Sequence, residues 1–82
     1  MIYYVYILQS AFDGSFYIGF THDLQGRLFE HNHGSTRYTS HKRPWKLVYK
    51  EKYVSKTAAI KREKFLKKQK NHDFYNRLID SQ

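Results

Sequence analysis

Five side chains in this 82-residue chain are of the types that phosphodiester cleavage asks for, and their spacing lets a fold gather them. Tyr6 and Tyr17 lie in two strand-like segments, Arg27 and His31 fall four residues apart in a helix-like one, and Glu63 sits among lysines much later. The reaction needs a group that handles a water proton, cations that balance phosphate charge and a carboxylate that can hold a metal. Arginine gives two parallel hydrogen bonds to phosphate oxygens and stays charged at any working pH. Histidine exchanges a proton near neutrality, and residues four apart share a helix face. Each position also has an ordinary reading: a solvated helix arginine, a capping histidine, sheet tyrosines with hydrogen-bonded tips, and a glutamate paired with Lys67 one turn on.

The elements that must position these groups can be read in order. Ile2 to Leu8 is β-branched, aromatic or leucine throughout, which predicts a strand covered on both faces and placed inside a sheet. Asp13-Gly14 is a turn pair, and Phe16 to Phe20 resumes strand character, so the two segments should form an antiparallel hairpin that brings Tyr6 and Tyr17 together. Thr21 or Asp23 can cap a helix running to about Asn32, with Gly34 as its stop. Ser35 to Pro44 reads as a basic, polar loop. Trp45 to Val54 returns to strand, with Trp45, Leu47, Tyr49 and Tyr53 in period two, Lys46, Lys50 and Lys52 opposite them, and Val48 the exception.

Ser55 can cap a helix from Lys56 to about Lys68, and a last helix covers His72 to Asp80. At about 100° per residue Glu63 falls between Ile60 and the positions of Ala59 and Leu66, inside the apolar sector of its helix. A carboxylate there is poorly placed to be mere surface. The order β-β-α-β-α-α predicts an α+β domain, a three-stranded antiparallel sheet flanked by helices, spanning residues 1–82 as one unit.

Composition narrows the partners. A net charge of +8 on so short a chain draws polyanions, with nucleic acid the first to test. Eight tyrosines and six phenylalanines suit base stacking as well as a small core. Cysteine is absent, which removes disulfides, thiolate zinc sites and a cysteine nucleophile. His31 and His33 would point to different sides of a helix, so a histidine-only metal site is not expected. There is no long apolar run and no basic leader with a cleavage site, so a soluble cytoplasmic protein without a membrane partner is expected.

Tyr4-Val5-Tyr6 followed by Tyr17-Ile18-Gly19 resembles the paired motif of the GIY-YIG nuclease superfamily, with the first motif's glycine and isoleucine replaced by Tyr4 and Val5. Arg27-x-x-x-His31-Asn32, the Tyr38-Thr39 step, Arg43-Pro44-Trp45-Lys46-Leu47-Val48-Tyr49 and Arg62-Glu63-Lys64 extend the likeness to its small single-domain bacterial branch, the UPF0213-like family. The resemblance covers nearly the whole chain. It implies a metal-dependent endonuclease with a single divalent ion, Mg2+ or Mn2+, held by Glu63. It also implies contact of Arg27 with the scissile phosphate, assistance from His31, and hydroxyls from Tyr6 and Tyr17, one of them as general base. The superfamily places an asparagine after the glutamate, and Asn76 fits that spacing better than Asn71.

Lys61, Lys64, Lys67, Lys68 and Lys70, with Arg37, Lys42 and Arg43 from the loop, could bracket a phosphate backbone, DNA being preferred over RNA. Without a spare recognition module, sequence preference should be weak and shape selection in repair or recombination is the expected role. The alternative is a nucleic-acid-binding module that keeps the fold without turnover, and a third reading is a docking domain with an aromatic surface.

Overall fold

The structure, a computed structural model, describes residues 1–34 and 37–82, with the side chains of 37 and 38 also outside the description. Strand β1 (Tyr3–Ser10) is central in a three-stranded antiparallel sheet, between β2 (Phe16–Thr21) and β3 (Trp45–Tyr53). Its unbroken apolar run is explained by burial from both sides: Val5, Tyr6, Ile7 and Leu8 are all closed to solvent. Helix α1 (Leu24–His33) covers one face, and α3 (Lys56–Gln69) with α4 (His72–Asp80) the other.

The hairpin register sets Tyr6 opposite Gly19 and Leu8 opposite Tyr17, so the two tyrosines lie diagonally on one face, ring centroids 6.5 Å apart. Helix α1 is capped by Asp23, whose carboxylate accepts from the Gly26 N–H at 3.1 Å, while Thr21 turns the chain into it by accepting from the Asp23 N–H. Gly34 closes α1 in an extended conformation and donates its N–H to the Glu30 carbonyl at 2.6 Å.

Two expectations are corrected. The segment read as a loop contains a one-turn helix, α2 (Arg37–Ser40), tied down where the Trp45 indole N–H donates to the Thr39 carbonyl at 2.9 Å. That bond joins groups six residues apart in a polar stretch, which no local pattern announces. The period-two pattern of β3 also breaks. Ile7 pairs with Tyr49 but Leu8 pairs with Leu47, leaving Val48 as the extra residue of a bulge. Trp45 and Leu47 therefore join the cluster of Tyr6 and Leu8 under α1, while Tyr49 and Tyr53 pack on the opposite face with Val5, Ile7, Ala59 and Leu66. A one-residue insertion inverts the sides on which all later residues point.

The two apolar layers differ in extent. Under α3 and α4 lie Val5, Ile7, Ile18, Ala59, Leu66 and Tyr75 with a broad rim of aromatics; under α1 the buried set is Tyr6, Leu8 and Trp45, rimmed by Tyr17, Leu24, Leu28 and Leu47.

Candidate active site

The site is built around Tyr6. Gly19, directly across the ladder, leaves the space its ring occupies: a Cβ there would meet the Tyr6 hydroxyl at 2.6 Å and Cζ at 2.8 Å. From α1, His31 is buried and brings Nε2 to 3.1 Å from the Tyr6 hydroxyl. Its ring also meets Tyr17 edge-on at 4.6 Å between centroids. Arg27, one turn earlier, engages the Tyr6 oxygen and lowers its proton affinity, while NH1 pairs with Glu30 at 2.9 Å on a half-exposed surface. His33 instead stacks in the open on Phe29, so the two histidines do diverge.

From α3, Glu63 comes close enough to Tyr6 for its charge to raise the phenol's pKa. Its apolar-sector position leaves the side chain only 14% exposed. The i, i+4 partner read from the sequence is present but long, Lys67 Nζ at 3.7 Å, and no described residue donates a hydrogen bond to the Glu63 carboxylate. Oxygens so placed suit a hard divalent cation, which takes oxygen ligands, keeps several waters and is completed by substrate phosphate. Among the described residues no group of three histidines, cysteines or carboxylates could cage a metal, so a shared site of this kind is the one the donor set fits.

Burial pushes the Tyr6 phenol up to about 12, helped by Tyr17 and Glu63 and opposed by Arg27. Burial also pushes the His31 imidazole below its ordinary value, with Arg27 adding to the effect and Glu30 opposing it. Nδ1 of His31 is buried and has no partner among the described residues. With the proton on Nε2 the ring donates to the Tyr6 oxygen and Nδ1 keeps a bare lone pair. With the proton on Nδ1 a buried N–H goes unpaired, which is the costlier arrangement, so geometry favours the Nε2–H tautomer.

Other expected contacts fall elsewhere. Arg43 is turned inward, donating from Nε to the His31 carbonyl at 3.2 Å and from NH2 to the Gly34 carbonyl, so it closes the end of α1. Lys42 pairs with Asp13 at 3.2 Å and reaches the Ser15 hydroxyl. Lys61, Lys64, Lys67 and Lys68 are exposed along α3. Asn71 caps α4, and Asn76 is exposed on that helix, with no contact among the described residues joining it to Tyr6 or Glu63. The Arg37 side chain lies outside the described residues.

Sequence reading gave Asn32 a place in the motif but no role; its amide accepts from the Trp45 N–H at 2.6 Å and donates to the Trp45 carbonyl at 3.1 Å. It fixes the helix bearing His31 to the start of β3. The side-chain type gave no more signal than its place next to His31. Missed altogether was Glu51, held by Arg62 through NH2 at 2.9 Å and by the Tyr53 hydroxyl at 2.7 Å, with Tyr49 donating as well. Burial pushes its carboxyl up, but Arg62 and the two tyrosines outweigh that and hold it below the usual carboxylate range.

A hairpin, a helix and a distant carboxylate meeting around one tyrosine define a small nuclease-type domain, and residues 2–76 match the GIY-YIG catalytic domain. The chain belongs to this nuclease family, whose domain implies a nucleic-acid substrate and whose nucleases generally use a divalent metal. It is 44% identical over 62 residues to a UPF0213 protein of Staphylococcus epidermidis, covering 74% of each chain. It is 43% identical over 68 residues to one from Streptococcus pneumoniae, covering 82% of this chain and 68% of that one. Among solved structures it is similar to a UPF0213 protein from Bacillus halodurans determined by solution NMR, with a TM-score of 0.61, 32% identity, and coverage of 100% of this chain and 86% of that one. No helix among the described residues is long and apolar enough to cross a membrane.

Proposed function

We propose that this chain is a divalent-metal-dependent endonuclease that hydrolyses DNA with little sequence specificity, using Mg2+ or Mn2+, and that it selects substrate shape in repair or recombination. The observation that carries the reading is the buried Tyr6 hydroxyl, contacted by His31 and Arg27 from one side of the sheet, with Glu63 on the other side near enough for its charge to be felt there. Binding alone would not call for a carboxylate beside phosphate, because the two repel.

At neutral pH Tyr6 keeps its proton, so it is no base unaided. Burial is the main cause that holds that proton in place, and the Glu63 charge is a smaller one that a cation held by its carboxylate would offset. Arg27 lowers the proton affinity of the phenol and His31 donates to the same oxygen, the roles that would let Tyr6 take the proton of an attacking water. Arg27 has an exposed guanidinium to set against the phosphate oxygens once Glu30 yields it. Bound at Glu63, the divalent ion supplies a second positive charge at the reacting phosphate. Lys61, Lys64 and Lys67 hold the strand by its backbone, which fixes position and reads no sequence.

The test is Mg2+- or Mn2+-dependent nicking of plasmid and branched DNA by wild type and Glu63→Ala, with binding measured in parallel. Cleavage is expected from wild type alone, with binding retained in the variant. Equal cleavage by both removes Glu63 as metal ligand. Binding without cleavage by wild type on every substrate leaves the chain as a binding module.

A further inference from the structure

We infer that the trough along the outer edge of β2 is a stacking subsite for an unpaired nucleobase next to the phosphate at Tyr6, Arg27 and Glu63. The inference rests on the nuclease reading and adds a substrate class to it: strands that carry an unpaired nucleotide beside the cut.

The trough has a volume of about 450 Å³ and is lined by Phe16, Tyr17, Ile18, Lys67, Lys70 and Tyr75. That is in the range of sites that enclose small molecules, roughly 300–1,000 Å³. Two of its lining residues touch the catalytic cluster. Tyr17 lines it while meeting His31 at 4.6 Å, and Lys67 lines it while pairing with Glu63 at 3.7 Å. A nucleotide whose phosphate lay at Glu63 would therefore have the trough beside it.

The chemistry of the lining is that of a base-stacking platform: aromatic rings for a π-face and ammonium groups for the flanking phosphates. The platform is held in advance. Phe16 packs against His72 at 4.9 Å and edge-on against Tyr75 at 5.4 Å between ring centroids. Tyr75 donates its hydroxyl to the Leu66 carbonyl at 2.6 Å and accepts the Lys70 N–H at 3.1 Å. Lys70 is thereby kept in a left-handed conformation, φ 46°, at the trough's rim.

Charge separates this hollow from its neighbour. A second hollow, about 520 Å³ beside Arg27, sets Asp23 and Glu30 against Arg27 and Lys56, whereas the β2 trough has Lys67 and Lys70 and no carboxylate in its lining. The trough therefore has the stronger pull on a polyanion. A base paired in a duplex is stacked on both faces and must be extruded to enter, a cost that is least where the base is already unpaired.

The test is an abasic scan. Single-stranded oligonucleotides with one abasic site, moved position by position, are assayed for binding without metal and for cleavage with Mg2+ or Mn2+, using the full chain. An abasic site at one position beside the cut should weaken wild-type binding roughly 5- to 100-fold, with little effect elsewhere. Phe16→Leu, which keeps the apolar contact but loses the π-face, should shrink that penalty, whereas Lys70→Asn, which tolerates the left-handed backbone, should weaken binding of intact and abasic strands alike and lower the salt slope. Thermal melting establishes that Phe16→Leu folds, and the position dependence of the wild-type scan decides if it does not. A wild type that cleaves but is indifferent to the abasic position overturns the subsite and leaves the nuclease reading standing. A position-dependent penalty on binding without any cleavage supports the subsite and overturns the nuclease reading.

Discussion

The Tyr6 hydroxyl lies 3.1 Å from Nε2 of His31, a buried contact between the central strand and a helix 25 residues later. Arg27, Tyr17 and Glu63 all act on the same oxygen. The proposed mechanism turns on how easily this oxygen gives up its proton.

Acid should loosen the fold through His31. Its folded-state pKa lies below the unfolded value of about 6.5, so in that window the unfolded chain binds more protons, and stability rises with pH. The stabilisation is present above about pH 6.5 and is lost as pH falls toward the folded value. Tyr6, Tyr17, Arg27 and Glu30 are the groups facing it. Urea midpoints between pH 8 and pH 5 should fall for wild type and flatten in His31→Gln. Nitrogen chemical shifts of the imidazole at pH 8 should report the Nε2–H tautomer; the Nδ1–H form would reverse the hydrogen bond to Tyr6.

Gly19→Ala should act on Tyr6 rather than on the strand. The added methyl would sit 2.6 Å from the hydroxyl and 2.8 Å from Cζ, inside van der Waals contact, so the ring must move or β2 must shift. Overpacking of this kind costs about 1–3 kcal/mol. Denaturation should show that loss, and cleavage should drop with it. In a double-mutant cycle Tyr6→Leu should absorb much of the penalty, and strict additivity would mean that the clash is relieved elsewhere.

Arg43 and the α3 lysines should separate into structure and binding. Arg43→Ala removes hydrogen bonds to the His31 and Gly34 carbonyls and should lower stability by about 1–3 kcal/mol with little change in the salt slope of DNA binding. Lys61→Ala and Lys64→Ala, both exposed, should leave stability within about 0.5 kcal/mol. Each should reduce the salt slope by about 0.9 for duplex or 0.7 for single strand. A reversed pattern would place the phosphate path over α1 instead of α3.

What could be read from the sequence was whatever local pattern dictates. The unbroken apolar run of β1 marked a central strand, Asp13-Gly14 marked the hairpin that brings Tyr6 to Tyr17, and helical phase put Glu63 near the core side of α3. Long-range geometry was not legible. On paper Arg43 and Lys61 are equal cations, and only the folded chain shows one turned toward carbonyls and the other toward water. Val48 stood out as an exception to alternation, but whether an exception is a bulge or noise depends on the partner strand. Nothing local singles out Glu51, and only the fold closes Arg62, Tyr49 and Tyr53 around it.

The unequal apolar layers have a kinetic meaning. Glu63 rides on the helix pressed against the broader layer, whereas Arg27 and His31 ride on α1, in which His31 is the one buried residue and Phe29 is 63% exposed. Local opening follows the element with less buried apolar contact, so α1 should open before α3, and the half of the candidate site it carries can be withdrawn while the carboxylate stays put.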